Sequence, residues 1–197
     1  SRGLGDVYKR QNKNGGIIET KTAAQRGISK AMLYKLCKAE KIHRIVKGQY
    51  VLPEDMQDEL LSISRRSGKI IFSHETALFF HDLTDREPNP YSITVKTGYN
   101  PASLQADGIK VYTIKKELHD VGIVTMNTPF GNPVPVYDME RTICDLLRSR
   151  SSMEIQTFQG ALKMYARRKD KDLRTLMRYA GMFRVEKILR QYLEVLL

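Results

Sequence analysis

The sequence predicts an α+β protein: an N-terminal helix-and-hairpin domain, then a mixed α/β domain that ends in helices. Three observations predict it. Near the start, two short helical patterns meet at a glycine turn and are followed by two strand-like runs joined through Lys47-Gly48. Four strand-like runs lie between Tyr91 and Tyr137. Three apolar stripes at helical spacing fill the tail from Ile155 onward.

The elements follow in chain order. Ile17-Ile18 reads as a short strand after the Gly15-Gly16 break. Thr20 is placed to cap a short helix running to Arg26, with Gly27 as its stop. Gly27-Ile28-Ser29 makes a tight turn, and Ser29 is placed to cap a second helix over Lys30–Lys41. On that helix Met32, Leu36 and Ala39, widened by Leu33 and Cys37, form the stripe expected to pack inward. Ala31, Tyr34, Lys35 and Lys38 lie on nearly the opposite side. Ile42–Val46 and Gln49–Leu52 form a hairpin, and Pro53 stops it.

Helix, turn, helix and basic hairpin, in that order, make a winged helix-turn-helix. The expected domains are a poorly ordered or scar segment at 1–14, the winged helix-turn-helix at 15–53, a connector at 54–70 and an α/β domain at 71–197. Residues 1–14 supply only Leu4, Val7 and Tyr8 at helical spacing, about one turn of the helix that would complete a three-helix core.

In the second domain, Met56, Leu60, Leu61 and Ile63 could pack one side of a polar connector. Ser73 is expected to cap a helix over His74–Leu83. Strands are expected at Tyr91–Val95, Ile109–Ile114, Val121–Met126 and Phe130–Tyr137. Pro133 and Pro135 make the last of these an expected edge or bulged strand. Asp138 caps a helix that should bury Met139, Ile143, Leu146 and Leu147. The three tail stripes are Ile155, Phe158, Leu162, Tyr165; then Leu173, Leu176, Met177, Ala180, with Gly181 as a stop; then Val185, Ile188, Leu189, Tyr192, Leu193, Leu196.

Composition narrows function. The 197 residues carry 33 Lys+Arg and 22 Asp+Glu, a net charge of +11. Residues 1–52 hold 12 basic and 3 acidic residues (+9), residues 53–162 hold 11 and 15 (−4), and residues 163–197 hold 10 and 4 (+6). Nine excess positive charges on a small domain attract a polyanion in a salt-dependent way, nucleic acid first. Cys37 and Cys144 cannot build a disulfide framework or a Cys-rich zinc site. No apolar run approaches the roughly 18 residues of a membrane span, and no secretory leader is visible, so a cytoplasmic protein is expected.

The expected DNA-binding residues are Ser29, Lys30, Ala31, Tyr34, Lys35, Lys38, Arg44, Lys47 and Gln49. Ala31, Tyr34 and Lys35 would reach base edges in a major groove. Lys30, Lys38, Arg44 and Lys47 would meet phosphates, with Ser29 and Lys30 at the helix N-terminus. A second basic group, Lys163, Arg167, Arg168, Lys169, Lys171, Arg174 and Arg178, reads either as a solvated face or as a surface for a protein toxin, RNA or a second DNA segment.

Candidate catalytic groups are sparse. His74-Glu75 with His81 invites a metal reading, but zinc proteases need two histidines four apart around the glutamate, and Leu78 lies between these two. Asp82 with Asp85, and Asp170 with Asp172, are carboxylate pairs of the kind that hold Mg²⁺, yet no Gly-Ser element precedes them and N-capping accounts for Asp170. Cys144 sits in an apolar helix as a core residue. No catalytic residue, metal or cofactor is expected, and the chain is read as a non-enzyme.

The runs T-K-T-A-A-Q-R-G-I-S (Thr20–Ser29), L-Y-K-L (Leu33–Leu36) and I-H-R-I-V-K-G-Q-Y-V-L-P (Ile42–Pro53) resemble the N-terminal domain of AbiEi-family antitoxins. The likeness continues through F-S-H-E-T-A-L-F-F-H-D-L-T-D (Phe72–Asp85), G-Y-N (Gly98–Asn100), T-P-F-G-N (Thr128–Asn132), V-Y-D-M-E-R-T-I-C-D-L-L-R (Val136–Arg148) and Y-L-E-V-L-L (Tyr192–Leu197), so it spans about residues 15–197. The resemblance implies a bacterial type IV antitoxin encoded beside a nucleotidyltransferase-like toxin. Its N-terminal domain would repress its own operon, and its C-terminal domain would counter the toxin without necessarily forming a stable complex. Operator DNA, expected as inverted repeats, is then the partner, met by a homodimer or by copies pairing on the DNA. Two rivals stay open: a winged-helix regulator with a ligand-sensing second domain, and a nucleic-acid-processing enzyme with a winged-helix targeting domain.

Overall fold

The structure is a computed structural model that describes residues 17–51 and 58–196. The expectations for residues 1–14, and for Leu52, Pro53 and Met56, lie outside the described residues. The chain is α+β and divides into two compact units, residues 1–66 with 127–134 and residues 67–126 with 135–197.

In the first unit, β1 (Ile17–Glu19) leads into α1 (Thr20–Ala24), α2 (Lys30–Lys38), β2 (His43–Val46), β3 (Gln49–Val51) and α3 (Glu59–Ser64). The three strands form one antiparallel sheet in the order β1-β3-β2. A register shift between Arg44 and Val46 bulges β2 and adds twist to the hairpin. Leu33 of α2 is buried with Ile18, Ala23 and Ile42, and Ile28, Leu36, Cys37 and Tyr50 close around them. This cluster fixes α2 against the sheet through a single face.

Local chemistry sets the ends of these helices. Thr20 does not cap α1. It is the first helical residue, Glu19 precedes it, and its hydroxyl donates to the Gly48 carbonyl at 3.1 Å while its N–H donates to the same oxygen at 2.8 Å. The start of α1 is therefore tied to the hairpin turn. The helix stops at Ala24, earlier than Arg26, because Gly27 takes φ +78° and lets Ile28 N–H reach back to the Ala23 carbonyl. Ser29 caps α2 as its position implies, accepting from Met32 N–H at 3.2 Å. Its other end falls at Lys38 rather than Lys41, where Glu40 turns left-handed (φ 54°) and Lys41 N–H closes on the Leu36 carbonyl.

α3 is capped by Asp58, whose carboxylate accepts from Leu61 N–H at 3.0 Å. The other carboxylate oxygen accepts from the hydroxyl of Thr128 and from Asn132 Nδ2. One buried acid thus holds the loop of the T-P-F-G-N run inside this unit.

The second unit runs β4 (Ile71–Phe72), α4 (His74–Phe80), β5 (Ser92–Lys96), α5 (Ala102–Ala106), β6 (Lys110–Ile114), α6 (Lys116–His119), β7 (Ile123–Asn127), β8 (Pro133–Tyr137), α7 (Met139–Ser149), a 3-10 turn (Arg150–Ser152), α8 (Ile155–Arg167), α9 (Leu173–Met182) and α10 (Glu186–Leu196). The five-stranded sheet is ordered β6-β5-β4-β8-β7, with β5/β6 and β4/β8 parallel and β4/β5 antiparallel. β8 is interior, so the prolines do not place it at an edge; the edge strands are β6 and β7. The two-residue β4, too short to read from sequence, is the strand that joins the two halves of the sheet.

α7 is the central helix of this unit. Asp138 caps it, accepting from Arg141 N–H at 2.7 Å. It buries Met139, Ile143, Leu146 and Leu147, as the spacing requires, and Arg141 and Asp145 with them. Around it pack Leu78, Phe158, Leu162, Tyr165, Leu176, Ala180 and Leu189. Three expectations fail here. Ile155 is 67% exposed because it opens α8 before that helix meets the core. Leu173 is exposed at the first position of α9. Gly181 does not stop α9, which runs on to Met182 and turns only at Arg184 (φ 58°).

Arg141 is fully buried and holds the chain before β7. Its Nε donates to Asp145 at 3.0 Å, and one terminal nitrogen donates to the carbonyls of Leu118 and Val121, each at 2.7 Å. The guanidinium lies between the rings of Tyr137 (3.9 Å) and Phe183 (4.2 Å). Burial raises the pKa of Asp145, and the facing Arg141 charge opposes that shift.

Candidate nucleic-acid interface

Turning Leu33, Leu36 and Cys37 toward the sheet decides what α2 shows outside. Lys30, Ala31, Tyr34, Lys35 and Lys38 are all exposed, and Tyr34 is 70% exposed. The helix is one ordered surface carrying three ammonium groups, a phenol and a small residue. Ser29 is exposed at its N-terminus. On the β2–β3 hairpin, Arg44 and Lys47 are exposed, and Arg44 Nε rests 3.4 Å from the Val46 carbonyl.

Gln49 does not join this surface. Its side chain is buried at 4% exposure; its Oε1 accepts from Ser62 Oγ at 2.7 Å and its Nε2 donates to the Ser62 carbonyl at 3.2 Å. Polarity suggested an outward residue, but in β3 Gln49 faces α3, where two hydrogen bonds satisfy it.

Met32 corrects the expectation in the other direction. Placed inward by its spacing, it is 51% exposed, beside Ala31 and Lys35 on the outer surface, and Ala39 is exposed too. The i, i+4, i+7 count fitted two overlapping stripes, and only the narrower one, centred on Leu33, reaches the core. An exposed thioether on this surface supplies apolar contact that sequence spacing gave no reason to assign there.

In the second unit the expected basic group separates into two kinds of residue. Lys163 and Arg167 on α8, Lys169, and Arg174 and Arg178 on α9 are exposed. Arg168 and Lys171 are committed to structure: Arg168 makes two 2.8 Å bonds to Asp170 and donates to the His81 carbonyl, and Lys171 donates to the Arg168 carbonyl. The Arg168 bonds hold Asp170 down to about 2. The helix cap is Asp172, not Asp170; it accepts from Thr175 N–H at 3.0 Å. Neither acid of this pair is left facing a common point where a metal would sit.

His74 and His81 are both held by hydrogen bonds within the second unit. Ser73 does not cap α4; its hydroxyl instead meets His74 Nδ1 at 3.0 Å and accepts from Thr94 at 2.8 Å. His74 Nε2 lies 3.0 Å from the Ser149 hydroxyl, and its ring stacks on Tyr112 at 3.5 Å. Burial, reinforced by Lys110, Arg141 and Arg148, lowers its pKa well below the ordinary 6.5. His81 Nε2 lies 2.7 Å from the Tyr137 carbonyl. Burial also pushes the Cys144 thiol up to about 12, which removes thiolate reactivity at neutral pH. Among the described residues no three His, Cys, Asp or Glu side chains gather into a metal-binding group. Among them, too, no helix is long and apolar enough to cross a membrane.

No protein-family model matches the chain, and no curated protein matches it. Among solved structures it is similar to the RV2827C protein from Mycobacterium tuberculosis, with a TM-score of 0.65 and 15% identity over 89% of this chain and 69% of that one. At that identity the likeness is one of fold.

Proposed function

We propose that the protein is a winged helix-turn-helix DNA-binding repressor of its own operon and the antitoxin of a type IV toxin–antitoxin pair. The observation that carries the DNA-binding part is the outward face of α2. Lys30, Ala31, Tyr34, Lys35 and Lys38 are exposed together on a helix whose opposite face is fixed in a core. A rigid helix of about 10–12 Å diameter fits a major groove roughly 12 Å wide. Tyr34, Ala31, Met32 and Lys35 face base edges in this reading, while Lys30, Lys38, Arg44 and Lys47 neutralise phosphates. Gln49 is excluded from the set by its burial.

The antitoxin part rests on the motif resemblance, above all T-P-F-G-N and the V-Y-D-M-E-R-T-I-C-D-L-L-R run. The protein acts in the cytoplasm by binding rather than catalysis. The structural duties of Asp170, Asp172, His74 and Cys144 support that choice over a nucleic-acid-processing enzyme. The exposed residues Lys163, Arg167, Lys169, Arg174 and Arg178 form the surface through which the second unit opposes the toxin.

Two assays on the full-length protein test this. Affinity for the DNA upstream of its own gene, measured against salt, falls with Lys35→Ala and Lys47→Ala; unchanged affinity and salt dependence would refute the DNA assignment. Co-expression with the adjacent nucleotidyltransferase-like gene separates the two roles. The same variants still rescue growth if the roles are distinct, and failure of the wild type to rescue would remove the antitoxin reading.

A further inference from the structure

We propose that α2 selects thymine through its C5-methyl group, and that Met32, backed by Ala31, makes the contact. This rests on the DNA-binding reading above and names what the helix recognises within it.

The side chains that α2 leaves outside decide which base edges it can read. Lys30, Ala31, Met32, Tyr34, Lys35 and Lys38 are exposed. In the major groove, adenine is bound by a side chain that donates and accepts at once, Asn or Gln, and cytosine by a carboxylate. No Asn, Gln, Asp, Glu or Arg occurs anywhere in Lys30–Lys38. The Tyr34 hydroxyl offers one polar atom, not a matched pair. Guanine stays within reach of a lysine, which donates to N7 and O6. Thymine stays within reach for another reason. What marks it in the groove is a methyl group, and a methyl needs only apolar contact.

The fold puts such a contact at the start of the helix. Leu33 turns inward with Ile18, Ala23 and Ile42. Met32, one residue earlier, is carried about 100° round the axis to the border of the outward face, next to Lys35. It stays 51% exposed, and Ala31 beside it is exposed as well. The backbone that carries Met32 is held in place, because its N–H is the one that donates to the Ser29 cap at 3.2 Å. A methionine left half in water adds little to the core. Its flexible, polarisable thioether fits a base edge without the fixed geometry of a hydrogen bond.

Charge places this apolar pair against DNA. Lys30, Lys35 and Lys38 surround it on the same helix, and ammonium groups draw the surface onto a phosphate backbone whatever the sequence. Lysines at phosphates position the helix, and the methyl contact then supplies discrimination.

The full chain and the DNA upstream of its own gene test this. Deoxyuridine in place of thymidine removes the C5-methyl and keeps the base's hydrogen-bonding groups. Wild-type affinity for the upstream DNA falls about fourfold for each contacted methyl lost, the worth of one buried methyl. Affinity for random DNA is the same with either base. Met32→Gln, which keeps the chain length but not the apolar surface, binds thymine and uracil forms of the upstream DNA alike. Met32→Leu keeps the preference for thymine. Lys38→Ala is weaker on both forms and retains the wild-type ratio between them. Because Met32 is exposed, its variants keep the wild-type thermal midpoint. Equal wild-type affinity for thymine and uracil forms would overturn the inference and leave the DNA-binding reading standing. A thymine preference that survives Met32→Gln would overturn the assignment to Met32. A wild type that does not distinguish upstream from random DNA would overturn both this inference and the reading beneath it.

Discussion

Gln49 and Ser62 bind each other twice. The Ser62 hydroxyl donates to Gln49 Oε1 at 2.7 Å, and Gln49 Nε2 donates to the Ser62 carbonyl at 3.2 Å. Both residues are buried, so the pair fastens the hairpin strand β3 to α3 within one unit. Gln49→Ala leaves the Ser62 hydroxyl and carbonyl without these partners. The expected cost is about 1–3 kcal/mol of unfolding free energy in a denaturant titration. If the protein binds DNA as proposed, the salt dependence of that binding should be unchanged once the variant is kept folded. A stable variant with weakened DNA binding would return Gln49 to the proposed DNA-contacting surface.

The α2 surface makes a graded prediction. Each lysine that meets a phosphate lowers the slope of log affinity against log salt by about one when replaced by alanine, whatever the DNA sequence. Tyr34→Ala and Met32→Ala should instead cost roughly 1–3 kcal/mol on the preferred site and little on random DNA. Binding curves on both DNAs at several salt concentrations separate the two classes. Equal losses on both DNAs for Tyr34→Ala would make it a backbone contact.

His74 predicts an acid limit to stability. Its folded pKa lies well below 6.5, so between that value and 6.5 the unfolded chain binds the proton and the folded chain does not. The stability this neutrality confers is therefore complete above about pH 6.5 and is lost as pH falls toward the folded value. The slope approaches about 1.4 kcal/mol per pH unit. His74→Gln, which keeps hydrogen bonding without a titrating ring, should flatten stability against pH in that window. An unchanged pH profile would show that another group sets the acid limit.

Gly122 predicts a packing failure. A Cβ there would meet Arg141 Cβ at 2.8 Å and Asp138 Oδ2 at 3.1 Å, at a backbone φ of +78° that side chains rarely adopt. Gly122→Ala must shift the start of α7 or the turn before β7. We expect a loss of about 1–3 kcal/mol from backbone strain and overpacking together. Gly108 has a similar φ of +80° with open space around it, so Gly108→Ala should lose less. Thermal melts of the two variants give the comparison, and equal losses would assign the whole effect to backbone conformation.

Much of the fold was legible in the sequence because it depended on local chemistry. Ser29 and Asp138 cap the helices their positions imply, and Lys47-Gly48 turns the hairpin. The apolar spacing of α7 names its buried residues, and most of the strands between Tyr91 and Tyr137 are where the runs fall. Every one of these features is decided within about a turn of helix or a few residues of strand.

Only tertiary contacts decided the rest. Polarity could not tell that Gln49 faces α3, nor spacing that Met32 faces outward, because each depends on which neighbour occupies the space beside it. β4 is two residues long and exists through its pairings with β5 and β8. Pro133 and Pro135 argued for an edge or a bulged strand, and sheet order put β8 inside, leaving the uncharged β7 at the margin. Thus the sequence by itself determined the Ser29 and Asp138 caps, the basic outer face of α2 and the apolar face of α7, since periodicity and capping act between near neighbours. The tertiary structure alone decided which polar residues are buried and, among the described residues, which strands lie at the margins of the sheet, since those follow from contacts between segments distant in the chain.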